Sequence, residues 1–185
     1  MDMFTIGYVI YLFFIATVLA LLEIQIEGKD GWARNLPCWR PKDKDSFAVR
    51  AYMFFMSGRE LTGYHIVMFF FVFLILHFPF FAGVGWTGKK ELWVVSNYFL
   101  LSVTWDFLWH VWNPHYGVKK FNPKTISHDY NWLGPIPKDY ITGVIVSFVF
   151  AVLSGGDITH YLSFFLIFGG LTLASCLISL TLIKQ

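Results

Sequence analysis

Five long runs of apolar residues dominate the chain and predict helices that cross a lipid bilayer. The hydrocarbon core of a bilayer requires about 20 predominantly apolar residues in a helix. The runs cover residues 6–26, 61–84, 91–112, 139–155 and 161–183. The fourth is the shortest and needs a thinner bilayer or flanking residues to complete it. The pattern predicts an all-α, polytopic bundle of about five transmembrane helices, with four spans and a re-entrant fourth segment as the alternative.

The composition agrees with a lipid environment. Of the 185 residues, 56% are hydrophobic, 21% are aromatic and only 14% are charged. Soluble domains carry about 25% charged residues, and a soluble chain this apolar could not cover its own surface. No repeat or linker divides the chain, so residues 1–185 are expected to form a single membrane-embedded domain with the lipid bilayer as its principal partner.

The basic residues predict the orientation of the helices, because short loops rich in Lys and Arg stay in the cytoplasm. Twelve of the fourteen basic residues fall in the loops 27–60 and 113–138 or after the last run, whereas only Lys89 and Lys90 fall on the other side. The N-terminus is therefore expected outside and the C-terminus inside. This positive charge is explained by membrane orientation and does not call for a nucleic acid partner.

Ionisable side chains gather near the predicted cytoplasmic ends of the first three runs. Residues four apart lie on one face of a helix, as Glu23 and Glu27 do, and as Asp106 and His110 do. A charge such as Asp106 inside a membrane segment is costly and indicates a functional site. Helix bundles build metal sites from carboxylates and imidazoles at such spacings. The predicted metal ligands are Glu23, Glu27, Glu60, His65, Asp106 and His110.

The ligand types and the location of this site predict a chemistry. Carboxylate and imidazole ligands suit iron, zinc or manganese, and we expect a divalent ion, with iron or zinc first. His115 and His128, in the following cytoplasmic loop, are the predicted acid–base residues or additional ligands. The metal would activate water or, if it is iron, dioxygen. These features predict a metal-dependent membrane oxidoreductase or hydrolase with a lipidic substrate, because the site would open to acyl chains and to water.

Two other functions use the same residues differently. A transporter or channel would employ the acids as a cation or proton relay. A non-catalytic scaffold would bind a partner subunit, or a second copy, through its Phe-rich helix faces. Acids and histidines at helix ends also cap helices, pair with Lys or Arg, or extend towards the headgroups. The chain lacks a P-loop, a G-x-G-x-x-G and a G-x-S-x-G motif, as well as the histidine boxes of the membrane desaturases.

Overall fold

The computed structural model describes residues 6–126 and 131–183 and is mostly helical, with 68% helix, six helices and almost no strand. The predicted all-α class is therefore confirmed in its coarse form, as a mostly helical structure. The helices, in chain order, are α1 (Ile6–Glu27), α2 (Phe47–Phe55), α3 (Gly63–Phe81), α4 (Gly88–Trp112), α5 (Lys138–Leu153) and α6 (Ile158–Leu182). A short antiparallel pair, β1 (Trp132–Leu133) and β2 (Ile136–Pro137), precedes α5.

Three of the helices in the described part of the chain are long and apolar enough to cross a membrane, namely α1, α3 and α6. Large apolar side chains on these helices are exposed, for example Phe14, Val67 and Leu166. Such extensive apolar surface is unusual for a soluble monomer. The fold is therefore consistent with a membrane location. The other two long helices differ from these three, since α4 contains several polar residues and α5 has 16 residues.

Helix α4 forms the centre of the bundle and packs against α1, α3, α5 and α6. Leu101 and Leu108 are fully buried along it. This position explains how a helix that carries Asn97 and Asp106 is accommodated, because its neighbours shield it and supply partners for polar groups.

A glycine allows α5 to lie close to α4. A Cβ atom added at Gly143 would lie 2.5 Å from Cγ2 of Val103. Real Cβ atoms do not approach a neighbour so closely, so a larger residue at position 143 would push the two helices apart. This contact fixes the distance between the two helices that carry Asp106 and Asp139.

The ends of α1, α3 and α4 meet at one level of the bundle. Helix α4 ends at Trp112 because Asn113 precedes Pro114, and the residue before a proline is disfavoured in a helix. The side-chain amide of Asn113 donates a hydrogen bond of 2.9 Å to the carbonyl of Gly28, directly after α1. At the start of α3, Thr62 caps the helix by accepting a hydrogen bond from the backbone N–H of His65.

Candidate metal centre

Three predicted ligands converge where α1 ends and α3 begins. Glu23 and Glu27 lie on one face of the last turns of α1, and His65 lies in the first turn of α3. One ligand atom from each of the three side chains lies within 4.8 Å of the other two. The side chains are almost fully buried, with 9%, 3% and 2% of their surfaces exposed for Glu23, Glu27 and His65.

The spacing of these atoms matches ligands that share an ion. His65 Nε2 lies 3.8 Å from Glu23 Oε1 and 3.6 Å from Glu27 Oε1. Both distances are too long for a hydrogen bond. Tetrahedral ligands at about 2.1 Å from a metal are separated from each other by about 3.4 Å. The group can therefore hold a metal ion with only small side-chain movements.

The imidazole of His65 is oriented by the cap of its own helix. Its Nδ1 lies 2.8 Å from the hydroxyl oxygen of Thr62. With the proton on Nδ1, the ring donates to Thr62 and presents the lone pair of Nε2 to the two glutamates. Metal-binding histidines usually have such a hydrogen bond on the second nitrogen, which fixes the tautomer and the ring orientation.

An aromatic side chain from the loop after α1 covers the imidazole. The indole of Trp32 stacks on His65, with ring centroids 3.9 Å apart and an interplanar angle of 15°. The guanidinium of Arg59 lies 4.5 Å from the centroid of the same indole. The indole N–H of Trp32 also donates a hydrogen bond of 2.8 Å to the backbone carbonyl of Glu60. These contacts hold the loop over the centre.

The backbone of this loop adopts the left-handed conformation at three successive residues, with φ of 60° at Gly31, 45° at Trp32 and 50° at Ala33. Non-glycine residues rarely adopt it, and it persists only where the surroundings enforce it. The turn allows the N–H of Ala33 to donate a hydrogen bond to Oε1 of Glu27. Gly31 also faces Trp109, because a Cβ atom at position 31 would lie 3.2 Å from the indole. The turn therefore orients one ligand directly.

The three candidate ligands face a cavity of about 520 Å³ that opens between α1, α3, α4 and α5, with α2 beside it. Asp106 and His110 of α4 line the same cavity, so five of the six predicted ligands face one space. Its other walls are largely apolar and aromatic, including Phe69, Tyr98 and Phe99. A concave, mostly apolar space with a few convergent polar groups is the usual form of a small-molecule site.

A buried arginine joins three segments at the polar end of this cavity. Arg59, with 7% of its side chain exposed, pairs with Asp139 at 3.0 Å and with Asp106 at 3.5 Å. The hydroxyl of Tyr140 donates a hydrogen bond of 2.6 Å to Asp106. The cavity lining in the described chain includes four carboxylic acids, two histidines and one arginine. This end of the cavity is therefore rich in acidic groups.

Glu60 lies apart from the group that the sequence predicts it to join. Its carboxylate pairs with Lys44 at 2.7 Å and with Arg40 at 3.1 Å. The hydrogen bond from Lys44 lowers the pKa of Glu60 below its ordinary value. The physical reason is its position before α3, where the chain is extended and the side chain turns to the basic loop.

Of the two histidines predicted as acid–base residues, one belongs to the described part of the chain and does not reach the cavity. His115 is exposed in the turn after α4 and is not among the cavity walls. His128 lies outside the described residues.

The sequence prediction missed several contributors to the centre. Thr62 precedes His65 by three residues, which is the spacing of a helix cap, so its role as an orienting group had a recognisable signal. Asp139 stands in the first turn of α5, where an acid is expected for its favourable interaction with the helix dipole. Arg59 resembled the other basic residues of the loop 27–60, and no local pattern separates it from them.

No family model, curated protein or solved structure matches this chain.

Proposed function

We propose that the protein is a multi-pass membrane enzyme that uses a divalent metal ion, iron or zinc first, held by Glu23, Glu27 and His65. The observation that carries the proposal is the spacing of the three buried ligand atoms, which is too long for hydrogen bonds and suits a shared ion. The cavity in front of them gives a substrate access to that ion.

The charge balance of the cavity supports a bound cation. Four carboxylic acids line it, and Arg59 is already paired with two of them, Asp106 and Asp139. Among the ion pairs of the described residues, Glu23 and Glu27 face the imidazole of His65, at 3.8 and 3.6 Å. Buried charges are costly unless they are paired or coordinate a metal. A divalent ion between the two glutamates offsets that cost.

The remaining polar groups define what the chain itself contributes to a reaction. A bound ion would supply Lewis acidity and would activate water or, for iron, dioxygen. Asp106 is held towards the cavity by Tyr140 and Arg59, and it is positioned to accept a proton there. His110 lines the same wall one turn further along α4. The reaction class that fits these groups is a metal-assisted hydrolysis or oxidation at the membrane surface.

The orientation in the membrane forms part of the proposal. All five long helices would cross the bilayer, with the N-terminus outside and the metal centre at the cytoplasmic face. The distribution of basic residues supports this arrangement, because only Lys89 and Lys90 fall between α3 and α4. The central position of α4 supports it too, since four neighbouring helices shield its polar residues from lipid.

Elemental analysis by mass spectrometry tests the metal centre directly. The full chain is purified in mild detergent without chelator or metal-affinity tag. We expect about one equivalent of metal per chain, lost in His65→Ala and in Glu23→Gln. The matched controls His115→Ala and Glu60→Gln should keep it, because both residues lie outside the cavity.

The opposite results would refute the proposal. Wild-type protein without metal above background, even after incubation with iron or zinc, would remove its basis. Equal metal content in His65→Ala and His115→Ala would place any bound ion elsewhere.

A further inference from the structure

The cavity at the metal centre lies next to an apolar groove between α3 and α4. A second cavity of about 480 Å³ shares Phe69, Tyr98 and Phe99 with the first. Its remaining walls are Phe70, Phe73 and Val95. Asp106 and Val95 are eleven residues apart on α4, which corresponds to about 16 Å along the helix axis. The two adjacent spaces, taken together, therefore lie along much of the length of α4, beginning at the carboxylates.

The walls of the groove suit an alkyl chain. Its two sides are formed by aromatic rings and a valine, and Phe70 is exposed on the outer surface of α3. Helix α3 is itself long and apolar enough to cross a membrane. The groove consequently opens where acyl chains of the bilayer would lie, and a lipid acyl chain could enter it from the side.

The polar end of the space selects against a negatively charged head. Its four carboxylic acids outnumber its single arginine, which is already engaged by Asp106 and Asp139. With all four acids ionised, Arg59 and one divalent ion together would still leave the site with a net negative charge. Placing a phosphate or carboxylate there adds like-charge repulsion in a buried setting. An uncharged polar end, such as an alcohol or an ester, avoids that cost.

We infer that the ligand of this site is a long-chain lipid with an uncharged polar end, whose chain lies in the groove between α3 and α4. This inference rests on the proposed function, since the metal centre would act on the polar end of that lipid. It narrows the substrate class from lipidic molecules in general to alcohols and esters. It also assigns a position to the alkyl chain of the lipid, in the groove between α3 and α4.

Photo-crosslinking of the full chain tests the path. The probe is a long-chain fatty alcohol carrying a diazirine, added to protein in phosphatidylcholine nanodiscs. Peptide mass spectrometry should find the label in α3 and α4, at the walls of the groove. Excess unlabelled fatty alcohol should prevent this labelling, whereas a fatty acid of equal length should not.

Two substitutions on α5 form a matched pair for the same assay. Val146 lines the cavity, whereas Val149, on the same helix, is exposed and is not among the walls. Val146→Trp should reduce labelling about tenfold, because the loss of contact with two methylene groups has an effect of that size. Val149→Trp should leave labelling unchanged, and both variants should keep their metal. Ser102→Leu, which narrows the cavity from α4, gives a second test if Val146→Trp does not fold.

The outcomes separate this inference from the proposed function. Labelling that excess alcohol does not prevent, equal competition by the fatty acid, or equal effects of Val146→Trp and Val149→Trp would overturn the lipid assignment. Metal without groove labelling would overturn it as well, while the metal centre would stand. Groove labelling in wild-type protein that holds no metal would overturn the enzyme proposal and leave lipid binding in place.

Discussion

Arg59 provides a quantitative test of how the polar end of the cavity is held together. Substitution by methionine keeps a long side chain and removes the positive charge. Asp139 then loses its partner at 3.0 Å, Asp106 loses a partner at 3.5 Å, and the indole of Trp32 loses its stacked guanidinium. Removing one partner of a buried ion pair costs about 3–5 kcal/mol.

The partial exposure of Asp106 and Asp139 places the expected stability cost of Arg59→Met in the lower part of the range of about 3–5 kcal/mol. The side chain of Asp139 is 13% exposed, whereas that of Asp106 is 29% exposed and is better able to recruit water. The lost contact with Trp32 adds about 0.5–2 kcal/mol. We therefore expect Arg59→Met to lower the free energy of unfolding by about 3–4 kcal/mol.

Denaturant titration in mild-detergent micelles, followed by the fluorescence of the eight tryptophans, measures this change. Arg50→Met is the matched control, since Arg50 is exposed on α2 and its loss should cost less than about 0.5 kcal/mol. In the double variant Arg59→Met/Asp139→Asn, removal of the stranded acid should restore at least about 1 kcal/mol. A cost for Arg59→Met equal to that of Arg50→Met, or additive effects in the double variant, would refute this account of the network.

Three further predictions concern the ligand orientation, the helix contact and the membrane orientation. Thr62→Val should weaken metal affinity about 10–100-fold, because it removes the hydroxyl that orients the imidazole. Thr62→Ser keeps the hydroxyl and should keep the affinity. Competition with a chelator measures both affinities, and equal values would count against the role of that hydroxyl. Gly143→Ala should lower the free energy of unfolding by about 1–3 kcal/mol. Adding Val103→Ala to the same chain should remove that loss, because it removes the methyl group that the new Cβ atom would contact. Strictly additive changes in the unfolding free energy would show that the two side chains do not overlap. Cys38 should react with a membrane-impermeant maleimide only after cells are permeabilised. In the variant Lys89→Cys, the new cysteine should react in intact cells. The reverse pattern would show that the orientation is opposite to the proposed one.

The five long helices could be predicted from the sequence because their apolar runs are long and their boundaries carry ordinary signals. The predicted runs 6–26 and 91–112, for example, match α1 and α4 within a few residues. The shared face of Glu23 and Glu27 follows from helical spacing alone. The same holds for Asp106 and His110, which line one cavity.

The arrangement between segments could not be predicted in the same way. Spacing along the chain does not determine the path of the residues before a helix, so Glu60 and His65 appeared equivalent although Glu60 precedes α3 and only His65 faces the cavity. The partners of Arg59 lie far along the chain, in α4 and α5. Contacts at such separation depend on the packed fold, as does the close approach that Gly143 permits.

The dependence of α1 and α3 on α4 has a consequence for how the protein is made. All three proposed metal ligands lie between residues 23 and 65, so they leave the ribosome early. Both helices that carry them pack on α4, which is synthesised later. A nascent chain that ends before residue 88 holds every ligand but lacks the surface that aligns them. Metal loading would therefore follow the insertion of α4, and a prematurely terminated chain would not take metal from the cell.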